Sequence, residues 1–414
     1  MFWLVISLVF IYCLGHMGLE FVNLRTLRDQ RGIVPPVLAG RIDPKEVARA
    51  EDYTLARAKL NLIIFVLGKA LLLFMLAVGG FAWLASVVEG LDRAPVVSGL
   101  LFFAILAMAS KAVSFPFEWY ETFYLEERFG FNRTTPARWL ADMAKALLPA
   151  ALLGGGLLAA LLVLLYHAGT TWWLVCWAVF FVFSFVMTAL YPVLIAPLFN
   201  SFSPLEEGCL KTKVVTLMER CRIGVQDIFV MDATRRSSHS NAYMTGFGRS
   251  KRIVLFDTLI EKLDDDEIAA VLAHEVGHWK KKHMLKLFLS TQAESLGIFA
   301  LTGWLVTWPP ICTAFGFEHV IPYAGLLLAM IIYSPVIFLL RPLRTAQERR
   351  HEQEADRYAS SLDLGPSLGD ALVCLSRDNL SNLKPNPLYV FFNYSHPPVA
   401  QRLEALDSGI STAS

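Results

Sequence analysis

The stretch Val271-Leu-Ala-His274-Glu275-Val-Gly-His278-Trp279 carries the pattern His-Glu-x-x-His within a chain of 414 residues. On an α-helix, residues four apart share a face, so both imidazoles can aim a nitrogen at one ion, and zinc suits that donor pair. Glu275 stands one position round, the place for a carboxylate that leaves the metal free and takes a proton from the attacking water. Asp264, Asp265, Asp266 and Glu267 precede the motif and Lys280, Lys281 and Lys282 follow it, the polarity a helix dipole favours. No proline interrupts 267-308, so one helix is expected to run from the motif straight into the apolar run beyond it.

Around this motif the composition is that of a membrane protein. Hydrophobic residues make up 55% of the chain and charged residues 18%, against about 25% charged in soluble proteins. A bilayer crossing needs about 20 apolar residues, and seven such runs lie near 2-22, 60-87, 96-117, 142-166, 171-198, 284-308 and 322-341. The first lacks a basic leader and a small-residue cleavage site, so it reads as a retained helix. A net charge of +1 gives no nucleic-acid surface. The six cysteines are scattered without a C-x-x-C pair, so neither a disulfide framework nor a cysteine zinc site is indicated, and His and carboxylate are left to hold a metal.

Connector charge orients these spans. Residues 23-59 carry Arg25, Arg28, Arg31, Arg41, Lys45, Arg49, Arg57 and Lys59, and residues 118-141 carry Arg128, Arg133 and Arg138, whereas 167-170 and 309-321 have no Lys or Arg. Basic connectors stay in the cytoplasm. The loop 199-283 and the tail 342-414 then share the cytoplasmic face, separated by the two crossings of 284-341. Neither piece is large enough for a comfortable core alone, so they are expected to form one domain beside the five crossings of 1-198. Lys69, Lys111, Glu118, Glu121 and Glu294 fall in or beside the spans, and such charges usually face a protein interior or a water-filled cavity.

The shared face gives the two histidines a partner. The tail brings Arg349-Arg-His351-Glu352-Gln-Glu-Ala-Asp356, in which Glu352 and Asp356 are one turn apart. One can ligate the metal while the other hydrogen-bonds a ligand His from behind. His351 points away from the face of Glu352. Further on, Tyr394-Ser-His396-Pro-Pro places a His in a proline-fixed turn, suited to steadying an oxyanion, with Arg402 beyond. His239 is a weaker candidate, and His16, His167, His283 and His319 read as structural. In the loop, a short helix is expected after Pro204. Strands are expected at 224-232 and 252-256, with a third at Asn241-Ala242-Tyr243-Met244-Thr245 closed by Gly246-Phe-Gly248. That third strand reads as a plain hairpin or as an edge open to an extended peptide.

Taken in order, these segments resemble the integral-membrane zinc CAAX prenyl endopeptidases, the type I CAAX prenyl proteases, and their bacterial relatives. The resemblance covers most of the chain. It rests on Glu127-Arg-Phe-Gly-Phe-Asn132, Pro197-Leu-Phe-Asn-Ser-Phe-Ser-Pro204, Asn241-Ala-Tyr through Arg252-Ile-Val-Leu-Phe-Asp257, the His274 to His278 motif, Arg349 through Asp356, and Ser395-His-Pro397. It implies a helical membrane protein with seven transmembrane helices enclosing a water-filled chamber, closed by a small α+β, gluzincin-like protease domain. It also implies one zinc per chain on His274, His278 and Glu352, with Asp356 behind them. Glu275 becomes the general base, His396 the transition-state stabiliser and Asn241-Ala242 the substrate edge. Family members often have Ser where this chain has Glu348, a difference that bears on local packing.

The expected activity is hydrolysis of a peptide bond near the C-terminus of a prenylated substrate. The expected location is a bacterial inner membrane, or the endoplasmic reticulum in a eukaryote, with the site facing the cytoplasm. Two other readings remain open at this stage: a quality-control metallopeptidase acting on unprenylated chains, and a transporter or lipid-handling protein with a structural zinc, which would show four protein ligands.

Overall fold

The computed structural model of the chain describes residues 1-224, 227-245 and 252-408. Five long helices come first: α1 (Phe2–Asp29), α2 (Pro44–Ala77), α3 (Pro95–Phe129), α4 (Pro136–His167) and α5 (Gly169–Phe199). They are followed by α6 (Cys209–Arg220), α7 (Asp265–Lys280), α8 (His283–Val306), α9 (Pro322–Ser360), α10 (Gly365–Asp378), α11 (Pro387–Asn393) and α12 (Val399–Asp407). Four strands are β1 (Phe202–Pro204), β2 (Asp227–Met231), β3 (Ala242–Thr245) and β4 (Arg252–Phe256).

Six of the seven expected spans, α1 to α5 and α9, are long and apolar enough to cross a membrane. The seventh, α8, has 24 residues, about 36 Å of helix, but Lys286, Gln292 and Glu294 make it too polar to qualify by composition alone. The second span differs from its expected limits of 60-87. It starts at Pro44, where Asp43 and Glu46 form a capping box, and it stops at Ala77. Gly79, at φ 68°, then turns the chain into a separate helix, Gly80–Glu89.

The long helices form a closed ring. α1 touches α2, α2 touches α3, and so on through α4, α5, α8 and α9, which returns to α1. Seven cylinders packed at ordinary interhelix distance in such a ring leave a central space on the order of 10 Å across. At the end remote from the His-Glu-x-x-His motif the helices converge. There Val5, Val9, Leu76, Phe102, Leu162, Leu305, Tyr323 and Leu328 form one apolar cluster with the short helices Gly80–Glu89 and Pro309–Ala314. Toward the other end the charges read from the sequence find partners on their own helix or on the next one in the ring. Lys111 bonds Glu118, Tyr333 donates to Glu294 at 3.2 Å, and Lys69 lies over the Tyr12 ring at 5.1 Å.

An α+β domain closes the ring at that end. Its sheet runs β1-β2-β4-β3, with β2 and β4 parallel and the outer pairs antiparallel. Ile253, Leu255, Ile268, Leu272, Ala273, Val276, Leu368 and Ala371 form its core. Residues 225-226 of the first expected strand, and the Gly246-Phe-Gly248 turn, lie outside the described residues. The helix expected after Pro204 forms only at Cys209, because residues 202-204 pair with β2 instead.

The ring depends on close helix crossings. A Cβ added at Gly303 of α8 would stand 2.7 Å from the Trp173 ring of α5. Gly303→Ala is therefore expected to cost about 1–3 kcal/mol from overpacking and to lower the melting temperature measured in detergent; an unchanged value would contradict the α5–α8 contact.

Candidate metal centre

Two helices build the centre. Asp264 caps α7 by accepting from the amides of Asp266 and Glu267, and Glu267 returns the bond, so the motif starts in a fixed register. The partner is α9, which at 39 residues is about 58 Å long. That is nearly twice the apolar thickness of a bilayer, so its final turns stand clear of the membrane alongside α7. The two helices meet where a Cβ on Gly277 would come within 2.9 Å of the Ala355 Cα, and Ala355 and Ala359 are fully buried there.

This approach brings three donors together. His274 Nε2 lies 3.1 Å from His278 Nε2. Glu352 Oε1 is 3.2 Å from His278 Nε2, and Glu352 Oε2 is 3.4 Å from His274 Nε2. Tetrahedral zinc with ligand bonds of about 2.0–2.1 Å spaces its donor atoms roughly 3.3 Å apart, so these residues fit the ion. Glu352 Oε2 is buried with no hydrogen-bond partner, as expected of an oxygen that needs a cation. Burial pushes the His274 imidazole down, but its bonds to Asp356 and Glu352 outweigh that and raise it to about 9. The pocket pulls positive charge toward itself.

Each histidine is held from behind. His274 Nδ1 is 2.8 Å from Asp356 Oδ1, and Arg402 grips Asp356 through Nε at 2.9 Å and Nη2 at 2.6 Å. His278 Nδ1 is 3.0 Å from His283 Nδ1, and His283 Nε2 is 3.0 Å from Glu354 Oε2. If both Nε2 atoms are kept free for a metal, both Nδ1 atoms must carry the proton, which fixes the direction of both chains.

The second chain corrects the reading of the sequence. His283, taken as structural, stands behind His278 because α7 does not continue into the next span. Lys282 adopts φ 55° and α8 begins afresh at His283. His351 stacks flat on His283, ring centres 4.0 Å apart. Neither Pro nor Gly marks this break, so only the spacing of a His five positions after His278 hinted at it.

Glu275 makes no hydrogen bond or ion pair among the described residues, and burial raises its carboxyl above the ordinary range, the two nearby histidines opposing this. His396 Nε2 reaches Glu352 Oε1 at 3.3 Å with a side chain 62% exposed. Its turn is anchored by Arg349, which donates to the carbonyls of Val390 and Tyr394 at 3.1 and 2.7 Å. Asn241, Ala242 and Tyr243 lie on or beside β3, which is at the sheet edge, pairs with β4 and packs on α7. His239 lies elsewhere: it stacks on Phe131 and bonds Asn379, clasping the end of α3 to the α+β domain.

A ring of membrane helices capped by a domain in which His-Glu-x-x-His meets a glutamate from a second helix defines a polytopic membrane metalloprotease. Residues 23–201 match the family model for the CAAX prenyl protease N-terminal region, five membrane helices, and residues 204–410 match peptidase family M48. The yeast Saccharomyces cerevisiae CAAX prenyl protease 1 is 36% identical over 90% of this chain and 88% of its own. A rice homolog of that protease is 35% identical over 97% of both chains. The crystal structure of S. mikatae Ste24p superposes with a TM-score of 0.92 at 33% identity, covering 97% of this chain and 98% of that one. The chain belongs to the CAAX prenyl protease 1 family of M48 peptidases, and it is an integral, multi-pass membrane protein.

Gly277→Ala is expected to wedge α7 from α9 and separate Glu352 from the histidines. We expect at least a tenfold loss of metal affinity in a chelator competition, in line with about 1–3 kcal/mol of overpacking; affinity equal to the parent would refute the close approach.

Proposed function

We propose that His274, His278 and Glu352 hold one zinc ion and that the protein cleaves peptide bonds near the C-terminus of prenylated CAAX-type substrates. The observation that carries this reading is three donors at tetrahedral spacing beside an unpartnered Glu275. When bound, the zinc supplies Lewis-acid polarisation of the scissile carbonyl and acidification of water. Glu275 takes the proton of the attacking water and passes it to the leaving nitrogen. His396 steadies the developing oxyanion from its exposed turn, and Arg349 positions that turn. Asp356 with Arg402, and Glu354 with His283, orient the two ligand histidines.

The substrate adds as a strand to the open edge of β3 at Asn241, Ala242 and Tyr243, which brings its backbone alongside α7. The ring's interior accommodates the apolar prenyl chain. The site faces the cytoplasm, by the same concentration of Lys and Arg in residues 23-59 and 118-141 that orients the spans. Residues 1-198 and 284-341 act as the membrane body, 199-283 as the motif-bearing domain and 342-414 as the segment that completes it. Three donors with an unpaired carboxylate at hand support a catalytic zinc over a structural one.

Glu275→Gln should lower kcat by roughly 10²–10⁴-fold while zinc stays bound; full activity in that variant would sink the assignment. His283→Ala should weaken zinc binding about 10–100-fold at unchanged fold, measured by chelator competition, and unaltered affinity would remove His283 from the centre. A farnesylated C-a-a-X peptide should be cut faster than its unprenylated twin, whereas equal rates would favour quality-control proteolysis.

A further inference from the structure

On the metal-centre face of the membrane lies a second cavity of about 1030 Å³, lined by the end of α1 with the turn after it, by α2 and by the end of α3. Its basic lining residues are Arg28, Arg31, Lys59 and Arg128, and its one acid is Asp52. Asp52 is taken by Arg31 at 2.7 Å. Arg28, Lys59 and Arg128 have no acidic partner among the described residues, so the cavity holds three uncompensated positive charges.

Its walls are apolar and aromatic. Leu60, Ile63 and Phe117 continue from the charges toward the membrane interior, and Tyr120 and Tyr124 stack at 4.8 Å while both stay exposed. Exposed tyrosines at a helix end mark the headgroup level of a bilayer. Lys59 immediately precedes the apolar run that starts at residue 60, which sets the charges at that level and the apolar wall below them. On α2 the cavity-lining residues Asp52, Ala56, Lys59 and Ile63 form one stripe. Tyr53 and Arg57, which bond Glu126 and Glu121 of α3, form another, turned by roughly a third of a circle. The cavity is separate from the metal centre, and no residue of the protease domain lines it.

We propose that this cavity binds the headgroup of an anionic phospholipid from the leaflet on the metal-centre side. Arg28, Lys59 and Arg128 meet its phosphate charge, the tyrosine hydroxyls donate to it, and the apolar wall takes the first acyl carbons. A basic pocket between helices above an apolar wall suits such a lipid, and the volume exceeds what a headgroup alone requires. The bound lipid ties α1, α2 and α3 together at this end.

The test uses the full chain in detergent, titrated with phosphatidylglycerol or phosphatidylcholine and read by native mass spectrometry. The parent should retain phosphatidylglycerol roughly tenfold better. The triple variant Arg28→Gln, Lys59→Gln, Arg128→Gln should lose that preference to within about twofold. Lys280→Gln with Lys281→Gln, a basic pair elsewhere on the same face, should keep it. A triple variant with undiminished preference, or an equal loss in the lysine pair, would overturn the site. Competition by millimolar glycerol 3-phosphate would instead assign a soluble phosphate ligand and equally overturn the lipid. If the triple variant does not fold, Lys59→Gln alone decides, since parental retention in it refutes the proposal. Peptide cleavage is measured in parallel, so that a loss of lipid without loss of proteolysis is distinguishable from failure of the catalytic reading.

Discussion

The contact on which the rest of the molecule depends is the approach of α7 to α9 at Gly277 and Ala355. Only a residue without a side chain lets the two backbones come this close, and that closeness sets Glu352 at hydrogen-bond range from both motif histidines. The carboxylate has little reach to spare. Moving the helices apart by the width of one methyl group would leave three groups that want a cation at spacings no small ion could bridge. The buried Arg402–Asp356 pair then makes sense as a brace: it holds the imidazole of His274 against a helix already in place, and its desolvation is offset by two short charge-assisted bonds.

That contact also explains why a membrane ring and a protease domain belong to one chain. α9 is both the last stave of the ring and the bearer of the third donor, so the centre's geometry is referenced to the membrane body. The ring is tight at the far end, where apolar side chains fill it, and toward the protease domain it carries Lys111 paired with Glu118 along α3 and Tyr333 donating to Glu294. Burying Lys111 and Glu118 in lipid would be costly. Paired with each other two turns apart along α3, they offset part of that cost in a chain that is otherwise strongly apolar.

The sequence made legible whatever depended on short-range periodicity. The His-Glu-x-x-His spacing, the acidic start of α7 and the apolar runs each rest on contacts within a few residues. The pairing of Glu352 with the motif came from topology, since two crossings return the chain to the same face. What stayed hidden was set by tertiary contact. Lys282 takes a left-handed conformation that no local signal requires, and the helix break it creates is what turns His283 toward His278. Residues 202-204 became a strand only because β2 offers them an edge. The end of the second span shifted because the Gly79-Gly80 pair, weak punctuation in an apolar run, interrupts the helix where the chain must turn back along the ring.

The separation of the proposed ligands along the chain has a consequence for biosynthesis. His274 and His278 are made before α8 and α9, whereas Glu352 and Asp356 follow both crossings. A nascent chain that has only its first five spans in the bilayer carries the motif but has neither the third donor nor the brace behind His274. Under the proposed assignment the centre cannot assemble until both crossings are complete, so proteolytic competence waits on insertion of the whole chain.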